Sequence, residues 1–200
     1  VSGKMAGLSK QAKILSPKLV STALSYLTNT RHPDRNKLIF LLSIKGGMRA
    51  KEIAHITWSM VLNADGDLID HINLQNSAAK GDSGRVIPMA QELSEQLLKY
   101  RQISKHTEPH HRIIQTERSD KVSAQTIVNM FSAWYKELGF EGCSSHSGRR
   151  TFITKGAKKI SSVGGSLRDI QYLAGHTSLA TTQKYIEGDT EAQRKLIELM

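Results

Sequence analysis

Two arginines, two histidines and a late tyrosine are the residues of this 200-residue chain whose types and spacing suit one chemistry. Arg49 lies in Gly46-Gly47-Met48-Arg49-Ala50-Lys51-Glu52, and His146 and Arg149 share His146-Ser147-Gly148-Arg149-Arg150. His176 follows Gly175, and Tyr185 comes nine residues after that histidine. Displacement at a DNA phosphate needs charge on the non-bridging oxygens neutralised, a nucleophile in line, and a proton for the leaving 5′ oxygen. Arginine suits the first task, because its planar fork binds two phosphate oxygens and keeps its charge. Histidine donates hydrogen bonds to phosphate or relays protons near neutral pH. Tyrosine supplies a nucleophilic oxygen, provided that cations such as Arg49 and Arg149 lower the cost of its charged form. The set points to attack on a phosphodiester.

Each residue has a plainer reading. An arginine can make a surface ion pair, a histidine can sit satisfied in a core, and a tyrosine can pack at a helix end. Taken in order and at their spacing, the residues resemble the catalytic domain of a tyrosine recombinase of the phage integrase family. The resemblance runs from about Ser16 to Glu187: a first arginine with an acid three residues on, a lysine in a polar turn, His-x-x-Arg, Gly-His, and the tyrosine. It implies a site-specific recombinase or integrase that cleaves and rejoins DNA through a 3′-phosphotyrosyl intermediate and belongs with a mobile genetic element. Arg49, Lys80, His146, Arg149, His176 and Tyr185 would be catalytic, with His146 as acid or base and His176 mainly as hydrogen-bond donor.

Lys80 sits between two strands, with Arg85-Val86-Ile87-Pro88 following as in the family's lysine-bearing hairpin. It would protonate the leaving oxygen, or else only touch phosphate; Lys45 and Lys51 are weaker substitutes. Glu52, one helical turn after Arg49, would orient that guanidinium rather than transfer a proton. Covalent attachment keeps the energy of the broken bond, so the reaction needs no nucleotide or metal cofactor. His110-His111 lies in a polar loop with no further ligands nearby and is not read as a metal site. The family also implies double-stranded DNA as partner, a homotetramer in the synaptic complex, accessory DNA-bending proteins, and a C-terminal segment docked on a neighbouring protomer. Two departures stand out. Gly148 occupies a place where the family usually has leucine, which removes an apolar anchor and would loosen how Arg149 is held, and the stretch from Arg149 to Gly175 is a few residues longer than typical, with Lys158-Lys159 and Gly164-Gly165 in the surplus.

Ser16-Pro17 offers a cap and a first-turn proline for a helix reaching about Leu27. A second helix runs over 34–45 and stops at Gly46-Gly47. A short one spans 49–56. Residues 68–74 and 84–88 read as strands around a polar turn. Helices then follow at about 90–103, 123–138, 147–158, 166–174 and 178–186. The fold expected is α+β, mainly helical with a small antiparallel sheet, divided into a basic arm (1–15), a catalytic domain (16–187) and a tail (188–200). Leu196, Ile197, Leu199 and Met200 give that tail an apolar face.

Composition bounds the rest. With 28 Lys and Arg against 18 Asp and Glu, a formal +10 and a pI near 9.8 favour a polyanionic partner through counterion release. No apolar run approaches the ~20 residues of a spanning helix, so no membrane partner is expected. One cysteine, Cys143, excludes an internal disulfide framework, and residues 1–7 lack the apolar stretch of a secretory signal. A cytoplasmic, nucleoid-associated protein is expected. Two alternatives remain open: DNA relaxation like that of a type IB topoisomerase, and a non-catalytic DNA-binding accessory protein.

Overall fold

The computed structural model describes residues 11–79, 84–186 and 190–200, the last without the side chains of 190–193. Its elements in chain order are α1 (Pro17–Thr28), α2 (Pro33–Ile44), α3 (Ala50–His55), β1 (His71–Leu74), β2 (Arg85–Pro88), α4 (Gln91–Ile103), α5 (Ala124–Glu137), α6 (Ser147–Lys159), α7 (Leu167–Ala174), α8 (Leu179–Gln183) and α9 (Thr190–Glu198). Short 3-10 turns at Trp58–Met60 and Ile160–Val163 complete the set. The chain is mainly helical with one small antiparallel sheet, as its sequence leads one to expect.

Local signals set the ends. The Ser16 hydroxyl accepts from the Leu19 N–H and Pro17 opens α1, so a donor that the helix cannot satisfy finds a partner. Ser123 does the same for α5 through Thr126. At α7 the Ser166 and Asp169 side chains satisfy each other's backbone N–H groups in a capping box. Between α6 and α7 the chain forms the turn Ile160–Val163 and reverses at Gly164.

α2 is the central helix. Leu38 through Ile44 are all buried, because α1, α3, α4 and α6 pack around it. A helix apolar on every side belongs in the middle of a bundle. The main core gathers Phe40, Met48, Trp58, Leu97, Phe131 and their neighbours. A smaller cluster of Ile153, Ile170 and Ala174 joins α6 to α7, with Phe152, Leu167 and Tyr185 packed against it. β1 and β2 pair antiparallel, with Ile72 opposite Ile87 and Leu74 opposite Arg85. The first strand is shorter than its apolar run suggests, since Leu68 pairs instead with Leu62 in an isolated bridge.

Of the expected arm, residues 1–10 lie outside the described residues. Ala12, Lys13 and Leu15 are tied to the domain: the Arg150 guanidinium donates to the Ala12 carbonyl, the Lys13 N–H to the Gly142 carbonyl, and the Leu15 N–H to the Thr151 hydroxyl. Leu15 itself is fully buried.

Candidate active site

Arg49 stands at the N-cap of α3, just past the turn that ends α2. Its backbone N–H donates to Oε2 of Glu52 at 2.8 Å, and its Nη1 donates to Oε1 at 2.8 Å. The carboxylate thus fixes both backbone and side chain of the same arginine. Glu52 is wholly buried, while the Arg49 side chain keeps 25% of its exposure, so the guanidinium faces outward from a rigid mount. Burial alone opposes ionisation of Glu52. Hydrogen bonds and charge from Arg85 and Arg49 outweigh it and hold the carboxyl below its ordinary range.

Arg149 lies in the first turn of α6 and is buried. Its Nη1 donates to the Gly47 carbonyl and its Nη2 to the Ala174 carbonyl, both at 2.6 Å. Burial and the nearby Arg49 charge lower the proton affinity of this guanidinium, which remains a cation at neutral pH. Gly148 does not loosen Arg149, contrary to the expectation from its departure from the family pattern. A Cβ at that position would collide with the Ser43 hydroxyl of α2, so glycine lets α6 lie directly on α2, and carbonyls of two other segments hold the arginine.

His176 follows the left-handed Gly175, φ +61°, that ends α7. Only glycine suits this place: beyond the conformation, an added Cβ would lie 2.9 Å from Nη1 of Arg85. The Gly175 carbonyl accepts from Arg49 Nη2 at 3.3 Å, which ties the histidine segment to the first arginine. The His176 Nδ1 and the Thr182 hydroxyl share a hydrogen bond of 2.9 Å. Burial, then the charges of Arg149, Arg49 and Arg85, lower the His176 pKa to about 4, so the imidazole is neutral at physiological pH.

Tyr185 follows α8 and stacks on His176, ring centroids 5.4 Å apart. With His146, Arg149, Arg150, Thr181 and Lys184 it lines a cleft of ≈ 330 Å³. His146, the N-cap of α6, is exposed on the rim. Five of the residues read from the sequence, Arg49, His146, Arg149, His176 and Tyr185, thus converge with Glu52 from four separated segments. Lys80 lies outside the described residues. Of its substitutes, Lys51 donates to the Ala79 carbonyl at 3.1 Å and Lys45 pairs with Glu92 at 3.3 Å.

One participant is not singled out by the sequence reading. Arg85, at the start of β2, is buried and grips both oxygens of Glu52, at 2.9 and 3.1 Å, while its Nε donates to the Leu173 carbonyl at 2.7 Å. A signal was available: alternation along β2 puts Arg85 on the buried face with Ile87, and a charge on a core face requires a partner.

The polar loop around His110-His111 is richer than expected. His106, Glu108 and His111 bring their ligand atoms within 4.8 Å of one another, correcting the reading that no further ligands lie near. His111 Nδ1 is 2.8 Å from a Glu108 oxygen, and none of the three lines the Tyr185 cleft.

Comparison with known proteins agrees with this geometry. Residues 13–192 match the model of the phage integrase family. The tyrosine recombinase XerA of Pyrococcus horikoshii is 28% identical over 210 residues, covering 98% of this chain and 68% of that protein. Its counterpart in Thermococcus kodakarensis is 29% identical over 188 residues, covering 93% and 62%. Among solved structures, the Tn1549 transposon integrase in complex with a circular intermediate DNA superposes with a TM-score of 0.75 at 17% identity, covering 98% of this chain and 68% of that one. The XerA recombinase crystal structure gives 0.69 at 24% identity, covering 97% and 65%. At these identities the superpositions speak for the fold, and the family match, which extends over most of the sequence, decides membership: the chain belongs to the phage integrase family.

Proposed function

We propose that this chain is the catalytic domain of a site-specific DNA recombinase that cleaves and rejoins strands through a 3′-phosphotyrosyl intermediate. The observation that carries the reading is the meeting of Arg149, His146 and Tyr185 in one cleft, with His176 stacked on the tyrosine. The relatives' names as tyrosine recombinases support recombination over topoisomerase-like relaxation or a non-catalytic role.

In this reading the Tyr185 oxygen attacks the scissile phosphorus and gives up its proton. Arg49 and Arg149 bind the non-bridging oxygens, and neutral His176 adds a hydrogen bond. The bond from phosphorus to the 5′ oxygen breaks, and that oxygen takes a proton from Lys80, leaving a phosphotyrosyl ester and a free 5′ hydroxyl. His146, at the open rim, exchanges the tyrosine proton. The 5′ hydroxyl of another strand reverses each step.

The partner is double-stranded DNA, which fits the formal +10 of the chain and the DNA named in the Tn1549 integrase complex. We place the protein with DNA in the cytoplasm, acting as a homotetramer assisted by DNA-bending proteins. Residues 16–187 form the catalytic domain, preceded by the basic arm. The tail beyond it docks on a neighbour. Two features support that last assignment: Leu196 and Ile197 of α9 and the following Leu199 and Met200 stay exposed, and a cleft of ≈ 550 Å³ between α1, α2 and α6 offers Val20, Leu24, Ile44 and Phe152 as apolar lining.

A nicked suicide substrate, which releases a short strand and so blocks religation, tests the reading. Incubation with the chain should yield a covalent protein–DNA adduct attached to Tyr185. Relaxation of any supercoiled plasmid, without exchange at a particular site, would favour the topoisomerase alternative.

A further inference from the structure

The buried charges around the arginine cluster do not simply pair off. Among the described residues Glu52 is the one carboxylate bonded to Arg49, and it also binds Arg85 through both Nη atoms at 2.9 and 3.1 Å. Among the described residues Arg149 is bonded to two carbonyls and to no carboxylate. The three arginines and one glutamate therefore leave two formal positive charges. Attack on a phosphodiester raises the charge on the non-bridging oxygens from one negative charge toward two, and a site that matches the later value stabilises the transition state more than the ground state. Were Arg85 absent, the Glu52 charge would fall on Arg49 alone. One positive charge would remain.

Geometry makes the same division. Arg85 has its Nε on the Leu173 carbonyl and both Nη atoms on Glu52, and its side chain is 1% exposed, so it is fully committed inside. Arg49 shares Glu52 Oε1 through Nη1 alone and keeps a quarter of its side chain open. One guanidinium neutralises the carboxylate, and the other uses that carboxylate as a mount.

We propose that Arg85 is a positioning residue whose task is electrostatic: it neutralises Glu52, so that Glu52 can aim Arg49 without consuming the charge which Arg49 presents to the scissile phosphate. The proposal rests on the recombinase reading above. It also states why a buried ion pair stands behind an arginine that must face solvent. Pairing Glu52 with Arg49 only would orient the guanidinium equally well and would weaken it as a phosphate ligand.

The test compares charge with bracing in the full chain. Arg85→Met, Arg85→Lys and the double variant Arg85→Met/Glu52→Gln are measured for folding by chemical denaturation, for affinity toward uncleavable duplex, and for the rate of adduct formation on a saturating suicide substrate. Arg85→Met should lower that rate by ~100-fold while leaving affinity within about threefold, because most phosphate contacts lie elsewhere on the duplex. The double variant has again two positive charges and no buried carboxylate, and should regain at least about tenfold of the lost rate. A residue that only braced the fold predicts the opposite, since the double variant restores none of the bonds to Leu173 or Glu52. An Arg85→Met rate within threefold of wild type overturns the proposal, as does a folded double variant as slow as the single one. Should Arg85→Met fail to fold, the double variant and Arg85→Lys decide: both should stay within about 100-fold of wild type, and a folded protein of either kind that forms no adduct overturns the proposal. A wild-type chain that forms no adduct overturns the recombinase reading and this proposal with it, whereas failed recovery beside an active wild type overturns only the latter.

Discussion

The ring of Tyr185 lies over the imidazole of His176, centroids 5.4 Å apart and planes inclined by 23°, and it also packs against the apolar cluster of Ile153, Ile170 and Ala174. Among the described residues the phenol is thus held by packing of its ring. Tyr185→Phe removes one oxygen and no packing. It should therefore fold and bind DNA like wild type and form no covalent adduct on a suicide substrate. An adduct from the variant would transfer the nucleophile to another residue.

Arg149 is held by two carbonyls of different segments, Gly47 and Ala174, at 2.6 Å each. Arg149→Ala leaves both acceptors without this partner, at a cost of about 1–3 kcal/mol for each that stays dry, and removes a charge from the phosphate site. Cleavage should fall by more than about 100-fold. A folded variant within about tenfold of wild type, equal to ~1.4 kcal/mol in the barrier, would exclude the phosphate role.

His176 carries a pH dependence of defined sign. Its pKa falls from an ordinary 6.5 to about 4 in the folded chain, through burial first and then the arginines. The unfolded chain therefore takes up the proton before the folded one does, and the stability due to the neutral imidazole is present above about pH 6.5 and lost as pH falls toward 4. Denaturation at pH 7 and pH 5 should show a smaller loss for His176→Gln than for wild type. Equal losses would contradict a depressed pKa, and NMR titration of the ring reads the midpoint directly.

Elements announced by local residues were legible in the sequence. Ser16-Pro17, Ser123 and Gly175 act on backbone groups within a turn of themselves, so a short window contains the whole cause. The candidate residues were legible for another reason: each sits in a short motif whose neighbours narrow its meaning. Pairings across the chain were not. The ion pair between Arg85 and Glu52 joins residues 33 positions apart, and only the fold shows that β2 delivers its arginine beneath α3. Gly148 shows the converse error, in which a departure from a family pattern suggested a looser site. The compensating residue is Ser43, on another helix, and its small side chain is meaningful only once α2 and α6 are seen in contact.

That contact makes its own prediction. Gly148→Leu restores the residue usual in the family and should destabilise this chain by roughly 1–3 kcal/mol or more, since the added side chain meets Ser43 and the backbone of α2 with no space to fill. Chemical denaturation measures it. Unchanged or increased stability would mean that α6 can move off α2 without cost, and adding Ser43→Gly should relieve part of any loss.

Leu196, Ile197, Leu199 and Met200 are 60, 69, 85 and 94% exposed, whereas the cleft between α1, α2 and α6 presents an apolar lining to solvent. A helix with an unburied apolar edge and a cleft with apolar lining complement each other, and when one copy supplies the helix and the next the cleft, the contacts join in a ring. A chain lacking residues 190–200 should bind a single recombination site as wild type does, and it should still form the Tyr185 adduct. Synapsis of two sites and product formation should fail. Leu24→Glu, which places a charge in the cleft and leaves the tail intact, should have the same effect, and mixing the two defective chains should restore only those contacts in which an intact tail meets an intact cleft. Full recombination by the truncated chain would refute docking in trans, and a loss of single-site cleavage would instead assign the tail to its own domain.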